Sequence, residues 1–380
     1  MPEAQHGAAS FPSVRTRIER VDPEAIDPAV IERAAEVIRS GGLVAFPTET
    51  VYGLGGDALK PDAARKIYAA KGRPSDNPLI VHVADLDHVR PIVREIPAAA
   101  LSLADAFWPG PLTMIFRKTD AVPYETSGGL DTVAVRMPVD PVAAELIRAS
   151  GGYIAAPSAN TSGRPSPTTA QHVAEDLSGR IEMILDGGPA DIGLESTIVD
   201  LTEEVPVILR PGFINREMLT EVLGEVRLDP GLLDENANRG IRPKAPGMRY
   251  RHYAPRSPLF VVEGRAERVT EKILAMAAED CRRGKRVGII ASDESAGSYR
   301  DALGHVAAGA EGAFPPVILD IGRRDADITI ARHLFSVLRE FDARDTDVIY
   351  SESFETPKLG MAIMNRLLKA AGHQILDADR

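Results

Sequence analysis

Lys71-Gly-Arg73-Pro-Ser75-Asp-Asn77-Pro78 carries two cations and two small polar groups at alternate positions on a stretch stiffened by proline. Alternation predicts that all four share one side of a loop. Lysine supplies a point charge, arginine a planar fork of donors, and serine and asparagine neutral hydrogen bonds, a set suited to a polyphosphate or a phosphoryl group in transfer. Taken alone, such a heptapeptide reads more simply as a solvated charged loop. Its neighbours give it weight. Upstream lies Phe46-Pro-Thr48-Glu49-Thr50-Val-Tyr52-Gly53; downstream lie Val135-Arg136-Met-Pro138, Ala155-Ala156-Pro157-Ser158-Ala-Asn160-Thr-Ser162-Gly163, Glu195-Ser196-Thr197-Ile198 and Leu209-Arg210-Pro211-Gly212. Each sets a polar residue at a strand end or beside Pro or Gly, which singly would be ordinary turn chemistry.

Other chemical patterns fail. Gly53-Leu-Gly55-Gly-Asp-Ala58 matches the dinucleotide pattern G-x-G-x-x-A, but the next helix starts at Pro61, too late for the glycines to open it, so a tight turn is expected. Gly284-Lys285 is followed by Arg286 rather than Ser or Thr, which removes a Walker cradle. The eight histidines are scattered, there is no H-E-x-x-H, and one cysteine cannot build a thiolate cage, so any metal is expected to arrive with a nucleotide. Cys281 sits in a helical Ala/Glu/Arg-rich segment and reads as structural.

The elements that must position these residues follow from periodicity. The chain has 380 residues, 44% hydrophobic and 26% charged, the composition of an ordinary globular protein with room for two domains. A formal charge of −11 argues against a protein that coats nucleic acid, while allowing a local basic cleft. Residues 1–13 are expected to be a disordered lead-in without signal-peptide character, and no apolar run is long enough to span a membrane, so a cytoplasmic location is expected. Asp27-Pro28 opens a helix that stops at Gly41-Gly42; a second helix fits Pro61 to Ala70. Strands are expected at 43–46, 79–83, 112–116, 132–136, 154–156, 181–185 and 196–200. From Arg227 to Pro258 both periodicities vanish among prolines, glycines and asparagines, which reads as a linker. Beyond it, strands at 259–262, 286–290, 317–321 and 348–350 alternate with helices at 266–283 and 328–341, implying a small, mostly parallel α/β domain.

Together these segments resemble the YrdC-like family of L-threonylcarbamoyl-AMP synthases, in its long form with a C-terminal Rossmann-like domain. Pro246-Gly-Met-Arg-Tyr250-Arg-His252-Tyr253-Ala-Pro255 resembles the long form's linker signature, with Ala245 where the family has Ser and Arg249 where it usually has Lys. The resemblance implies a twisted α/β sheet around a large cationic cavity in residues 14–225, a linker acting as a lid over 226–257, and the smaller α/β domain at 258–380. It assigns Thr50, His82, Arg136, the backbone at Ala156 and Ser196 to L-threonine, and Arg73, Ser75, Asn77, Thr132, Ser158, Ser166, Arg210 and Tyr250 to ATP, with Lys71 and Arg73 as the catalytic cations. The implied reaction joins L-threonine, bicarbonate or CO₂, and ATP, with Mg²⁺ carried by the ATP phosphates and no organic cofactor. Its product would pass to a tRNA threonylcarbamoyl transferase, and direct tRNA contact is possible. Competing readings are a non-catalytic tRNA or double-stranded RNA binding module, carbamoyl transfer to a protein, and an NAD-binding oxidoreductase.

Overall fold

The computed structural model describes residues 14–234, 237, 242–247, 252–308 and 314–380. Two sheets organise them. The first has eleven strands: β1 (Arg17–Arg20), β2 (Val44–Phe46), β3 (Gly53–Asp57), β4 (Ile80–His82), β5 (Leu112–Arg117), β6 (Thr132–Arg136), β7 (Ile154–Ala155), β8 (Met183–Asp186), β9 (Thr197–Asp200), β10 (Val207–Arg210) and β11 (Arg227–Leu228). Their spatial order is β1-β8-β2-β3-β7-β4-β6-β5-β9-β10-β11, with parallel and antiparallel neighbours mixed. Helices α1 (Pro28–Arg39), α2 (Pro61–Lys71), α3 (Ala98–Phe107), α4 (Pro141–Ala149), α5 (Ala170–Leu177) and α6 (Arg216–Leu223) connect them. The signals read for α1 hold. Asp27 Oδ1 accepts the Ala29 amide at 2.9 Å, Pro28 opens the first turn, and Val30, Ile31, Ala34, Ala35 and Ile38 face a core shared with Val142 and Leu146 of α4.

Two expectations need correction. Gly53, Gly55 and Gly56 form no tight turn; they lie in β3, antiparallel to β2 and β7. A Cβ at Gly55 would stand 2.8 Å from the Phe46 ring and 2.9 Å from Ile154, so these glycines let a central strand pack closely. The polar alternation from Lys71 to Asn77 also breaks. Lys71 is the last residue of α2, and Gly72, at φ 63°, caps the helix in the left-handed region and redirects the chain, leaving Lys71, Arg73 and Asn77 buried but Ser75 exposed.

The second sheet is wholly parallel, ordered β14-β13-β15-β12-β16, from β12 (Leu259–Glu263), β13 (Val287–Ala291), β14 (Val317–Asp320), β15 (Val348–Glu352) and β16 (Ile375–Asp377). Helices α7 (Ala266–Arg282), α8 (Asp293–Ala308), α9 (Asp327–Ala343) and α10 (Gly360–Ala370) pack around it, and Cys281 is buried in the α7 core. The stretch read as linker begins later than expected, because β11 pairs with β10 and closes the edge of the first sheet.

The two sheets share a core. Val51, Ile192 and Leu194 of the first unit and Tyr253 of the linker pack with Leu334, Phe335, Leu338, Ile363 and Leu367 of α9 and α10. Gly193, at φ 81°, admits α9 so closely that a Cβ there would lie 2.5 Å from the Arg332 Cα. Among the described residues no helix is long and apolar enough to cross a membrane.

Candidate active site

Strand register brings the first pair of candidates together. His82 and Arg136 close the parallel strands β4 and β6 and stand opposite one another, both buried. Between β2 and β3 the Thr48 hydroxyl donates to Val51 O (2.6 Å) and accepts from the Thr50 and Val51 amides (3.2 and 3.3 Å), folding a turn that holds Thr50 and Glu49 nearby. Glu49 Oε1 lies 2.7 Å from Arg136 Nη2, an ion pair with both side chains almost wholly buried. Neither carboxylate oxygen of Glu49, nor Nε or Nη2 of Arg136, makes a hydrogen bond within the protein. The guanidinium is thus charge-balanced while keeping donors for another acceptor.

A second group gathers at the end of α2. Lys71 Nζ donates to the carbonyls of Ser158 (2.5 Å) and Asn160, tying the helix to the turn after β7. Ser158 Oγ donates to Asn160 Oδ1 at 2.6 Å, and the Asn160 amide continues to the carbonyls of Thr161 and Arg164. Arg73 reaches the carbonyls of Asn77 and Pro78 at 3.5 and 3.3 Å.

The third group sits where β9 and β10 meet. Arg210 donates through Nε to Ser196 O (3.0 Å), through Nη2 to Ser196 Oγ (3.1 Å) and through Nη1 to Pro246 O (3.4 Å). Ser196 Oγ also contacts Thr113 Oγ1 at 2.8 Å. Beside it the buried Glu195 accepts from Ser166 Oγ at 2.5 Å and from Arg366 Nε of α10 at 3.0 Å.

These groups line one cavity, where concave walls and convergent polar groups are what a small-molecule site requires. Thr50, Lys71, Arg73, His82, Arg136, Ala156, Ser158, Ser196 and Arg210 all face it, joined by Thr48, Asn160, Glu195, Pro246, Gly247, His252 and Tyr253. The other assignments fall outside the lining. Ser75 is exposed; Thr132 is half-buried at the start of β6, opposite Arg117; Ser166 is buried and turned to Glu195; Asn77 is buried with Oδ1 unbonded. Ala156 donates its amide to Ile80 O at 2.9 Å, so a backbone contact to a ligand there falls to the carbonyl. Tyr250 lies outside the described residues.

Among the described residues the lining carries Lys71, Arg73, Arg136 and Arg210 with Glu195, and Glu49 pairs with Arg136, all of them buried. Burial and then Arg73 push the Lys71 ammonium well below its usual pKa, so an arriving anion is what would best stabilise its charge. Arg210 falls to about 10, from burial opposed by Glu195, and remains cationic at neutral pH. His82 is lowered to about 3 by burial and by Arg136, and His252 to about 3 by burial and by Arg73; both rings are neutral. Glu195 stays below the usual carboxylate range because Arg366, Arg210 and the Ser166 hydrogen bond outweigh the burial that raises it.

Asp140, which caps α4 by accepting the Ala143 amide, is raised to about 6, mainly by burial, with Glu49 adding to it. A raised carboxyl stabilises the fold below its unfolded pKa and loses that contribution as pH rises through 6. Asp140→Asn keeps the cap, so urea denaturation should find it stabilised by about 1 kcal/mol at pH 7.5 and near neutral at pH 4. Equal effects at both pH values would remove this reading.

Comparison with known proteins agrees with the geometry. The family model described as telomere recombination matches residues 36–212, and that described as threonylcarbamoyl-AMP synthase, C-terminal domain, matches residues 214–372. A threonylcarbamoyl-AMP synthase of Pyrococcus abyssi is 48% identical over 353 residues, 93% of this chain and 97% of that one. The chain belongs to the threonylcarbamoyl-AMP synthase family. A Bacillus subtilis threonylcarbamoyl-AMP synthase is 46% identical over 367 residues, 96% of this chain and 98% of its own. The crystal structure of P. abyssi Sua5 complexed with L-threonine superposes with a TM-score of 0.85 at 46% identity, covering 95% of this chain and 99% of that one. The resemblance carried by the motifs is therefore borne out, together with the two-part α/β fold expected of the family.

Motif reading passed over Glu49, which balances Arg136, and three cations from α9 and α10. Arg366 was findable: it falls on the buried stripe of Ala362, Ile363, Leu367 and Ala370, where a solvated charge has no place.

Proposed function

We propose that the chain makes L-threonylcarbamoyl-AMP and pyrophosphate from L-threonine, bicarbonate or CO₂, and ATP, which makes it a nucleotidyltransferase. The observation that carries this reading is a shared cavity that Arg136 lines beside His82 and Thr50 while Lys71, Arg73 and Arg210 face the same space. Arg136 would clamp the amino acid's carboxylate, with Thr50, His82, Ser196 and the Ala156 carbonyl around the rest of it. The neutral amine forms a C–N bond to CO₂ and releases a proton, giving a carbamate; from bicarbonate the C–N bond forms as the C–OH bond breaks, and the amine proton leaves with that hydroxyl as water. A carbamate oxygen then bonds to the α-phosphorus of ATP as the bond to the β-phosphate oxygen breaks and pyrophosphate leaves. No protein nucleophile enters. The protein's work is alignment, charge neutralisation and exclusion of water from a labile carbamate, and the desolvated cations serve all three.

Among the described residues no group of His, Cys, Asp and Glu is arranged to hold a metal, and Glu195, the carboxylate on the lining, is taken by Arg366 and Ser166. That fits a Mg²⁺ held by phosphate oxygens, where it would spread the charge of the leaving pyrophosphate. The product would be the activated donor for threonylcarbamoyladenosine in tRNA, handed to a threonylcarbamoyl transferase. A duplex-binding module fits less well, because its cations must be spread over an exposed face, and these four are buried.

Pyrophosphate release is the test. It should require ATP, L-threonine and bicarbonate together and stop when Mg²⁺ is chelated. Release at the same rate without threonine would overturn the proposal.

A further inference from the structure

Helices α9 and α10 send three cations into the walls of the cavity. Arg366 on α10, fully buried, donates through Nε to Glu195 Oε2 (3.0 Å), through Nη2 to the Glu195 carbonyl (3.3 Å) and through Nη1 to the Pro211 carbonyl. One guanidinium thus ties the segment entering β9, which carries Ser196, to the segment leaving β10, which carries Arg210. Lys369, one turn on, donates to Gly247 O at 2.5 Å on the linker side of the cavity. Arg339 on α9, also buried, donates to both carboxylate oxygens of Asp176 (3.2 and 2.9 Å) and to Pro165 O (2.6 Å). Pro165 precedes Ser166, whose hydroxyl holds the other oxygen of Glu195. The wall bearing Glu195, Ser196 and Arg210 is therefore braced from behind by the second unit.

We propose that Arg366 is a positioning residue for the reaction: it fixes Glu195 and the main chain beside Ser196 and Arg210, so that α10 completes the wall that aligns the nucleotide. This rests on the function proposed above. Arg366 touches no cavity space itself and acts through Glu195. The groups that interact with that carboxylate are Arg366 from α10, Arg210 from β10, Lys71 from α2, Ser166, and His252 and Tyr253 from the linker. Removing Arg366 deletes the strongest of the charges opposing burial, so the Glu195 carboxyl should then hold its proton to higher pH than in wild type. Where Arg210 is held by ionised Glu195, activity should recover as pH rises and that proton leaves.

The experiment is steady-state kinetics of pyrophosphate and threonylcarbamoyl-AMP formation from pH 6 to 9 on full-length wild type, Arg366→Met, Arg366→Lys, Glu195→Gln and the double variant Arg366→Met with Glu195→Gln, each checked for a cooperative melt. Arg366→Met should lower kcat about 100-fold, with KM for threonine within about threefold, and gain an ascending pH limb that wild type lacks. Arg366→Lys should recover to within about tenfold of wild type, and the double variant should lose the new pH limb. Wild-type kinetics in Arg366→Met, or a pH-independent loss that Lys does not rescue, would overturn the positioning role. If Arg366→Met does not fold, Glu195→Gln decides, and wild-type kinetics in that variant would overturn the role equally. A wild-type chain that forms no threonylcarbamoyl-AMP overturns the proposed function instead, an outcome separate from any comparison among variants.

Discussion

Arg136→Lys should cost about 100-fold in kcat/KM for L-threonine while leaving KM for ATP within about twofold. The substitution is chosen for what it preserves. Arg136 is buried 2.7 Å from a buried Glu49, and replacing it by alanine would strand that carboxylate, costing about 3–5 kcal/mol of stability and confusing binding with folding. Lysine keeps the charge and loses the planar fork. Arg136 Nη2 is ion-paired with Glu49 and Nε has no hydrogen-bond partner within the protein, so the remaining N–H groups of the fork are what a bound carboxylate would engage, at about 1.5–3 kcal/mol for each charged hydrogen bond. Initial rates at varied threonine and saturating ATP make the measurement. An unchanged threonine KM and kcat would detach Arg136 from the carboxylate.

Lys71→Met is the second large effect, and it should appear in stability and turnover together. The Lys71 ammonium is enclosed by the carbonyls of Ser158 and Asn160, so methionine of similar length leaves two buried acceptors unsatisfied, at about 1–3 kcal/mol each. The turn they belong to carries Ser158 and Asn160 on the cavity wall. Turnover should fall at least about 100-fold, and the thermal midpoint should drop while the transition stays cooperative. Wild-type turnover in a folded Lys71→Met chain would show that neither the charge nor the anchored turn matters to the reaction.

The same residue shows how far sequence reading reaches into the local geometry. Residue type identified Lys71 and Arg73 as site cations, and both face the cavity. The alternation argument nevertheless failed for Ser75, because Lys71 belongs to α2 and the left-handed Gly72 turns the chain between them. Period-two reasoning holds only while the backbone stays extended. Strands rich in β-branched residues, such as Leu112–Arg117 and Thr132–Arg136, were legible to within a residue, whereas the glycine strand Gly53–Asp57 was hidden because its residues have no strand propensity and are there for close packing. Strands β1, β11 and β16 are short and lie at the sheet edges, where apolar patterning is weak, and β10 is a four-residue strand beside an edge.

The contribution of α9 and α10 was the least visible. Arg339 and Lys369 sit in amphipathic helices where a cation ordinarily means solvent, and their partners Asp176 and Gly247 lie more than a hundred residues away. Nothing local to either helix names those partners. Arg366 differs in lying on the apolar stripe itself, and a charge in that position is a usable sign of a buried polar contact.

The measurement that tests the central claim most directly is mass spectrometry of the product formed from ATP, L-threonine and ¹³C-bicarbonate by the full-length chain. The expected result is threonylcarbamoyl-AMP carrying the label in its carbamoyl carbon, formed in equal amount with pyrophosphate. Pyrophosphate without that adenylate, or a threonyl adenylate lacking the labelled carbon, would contradict it.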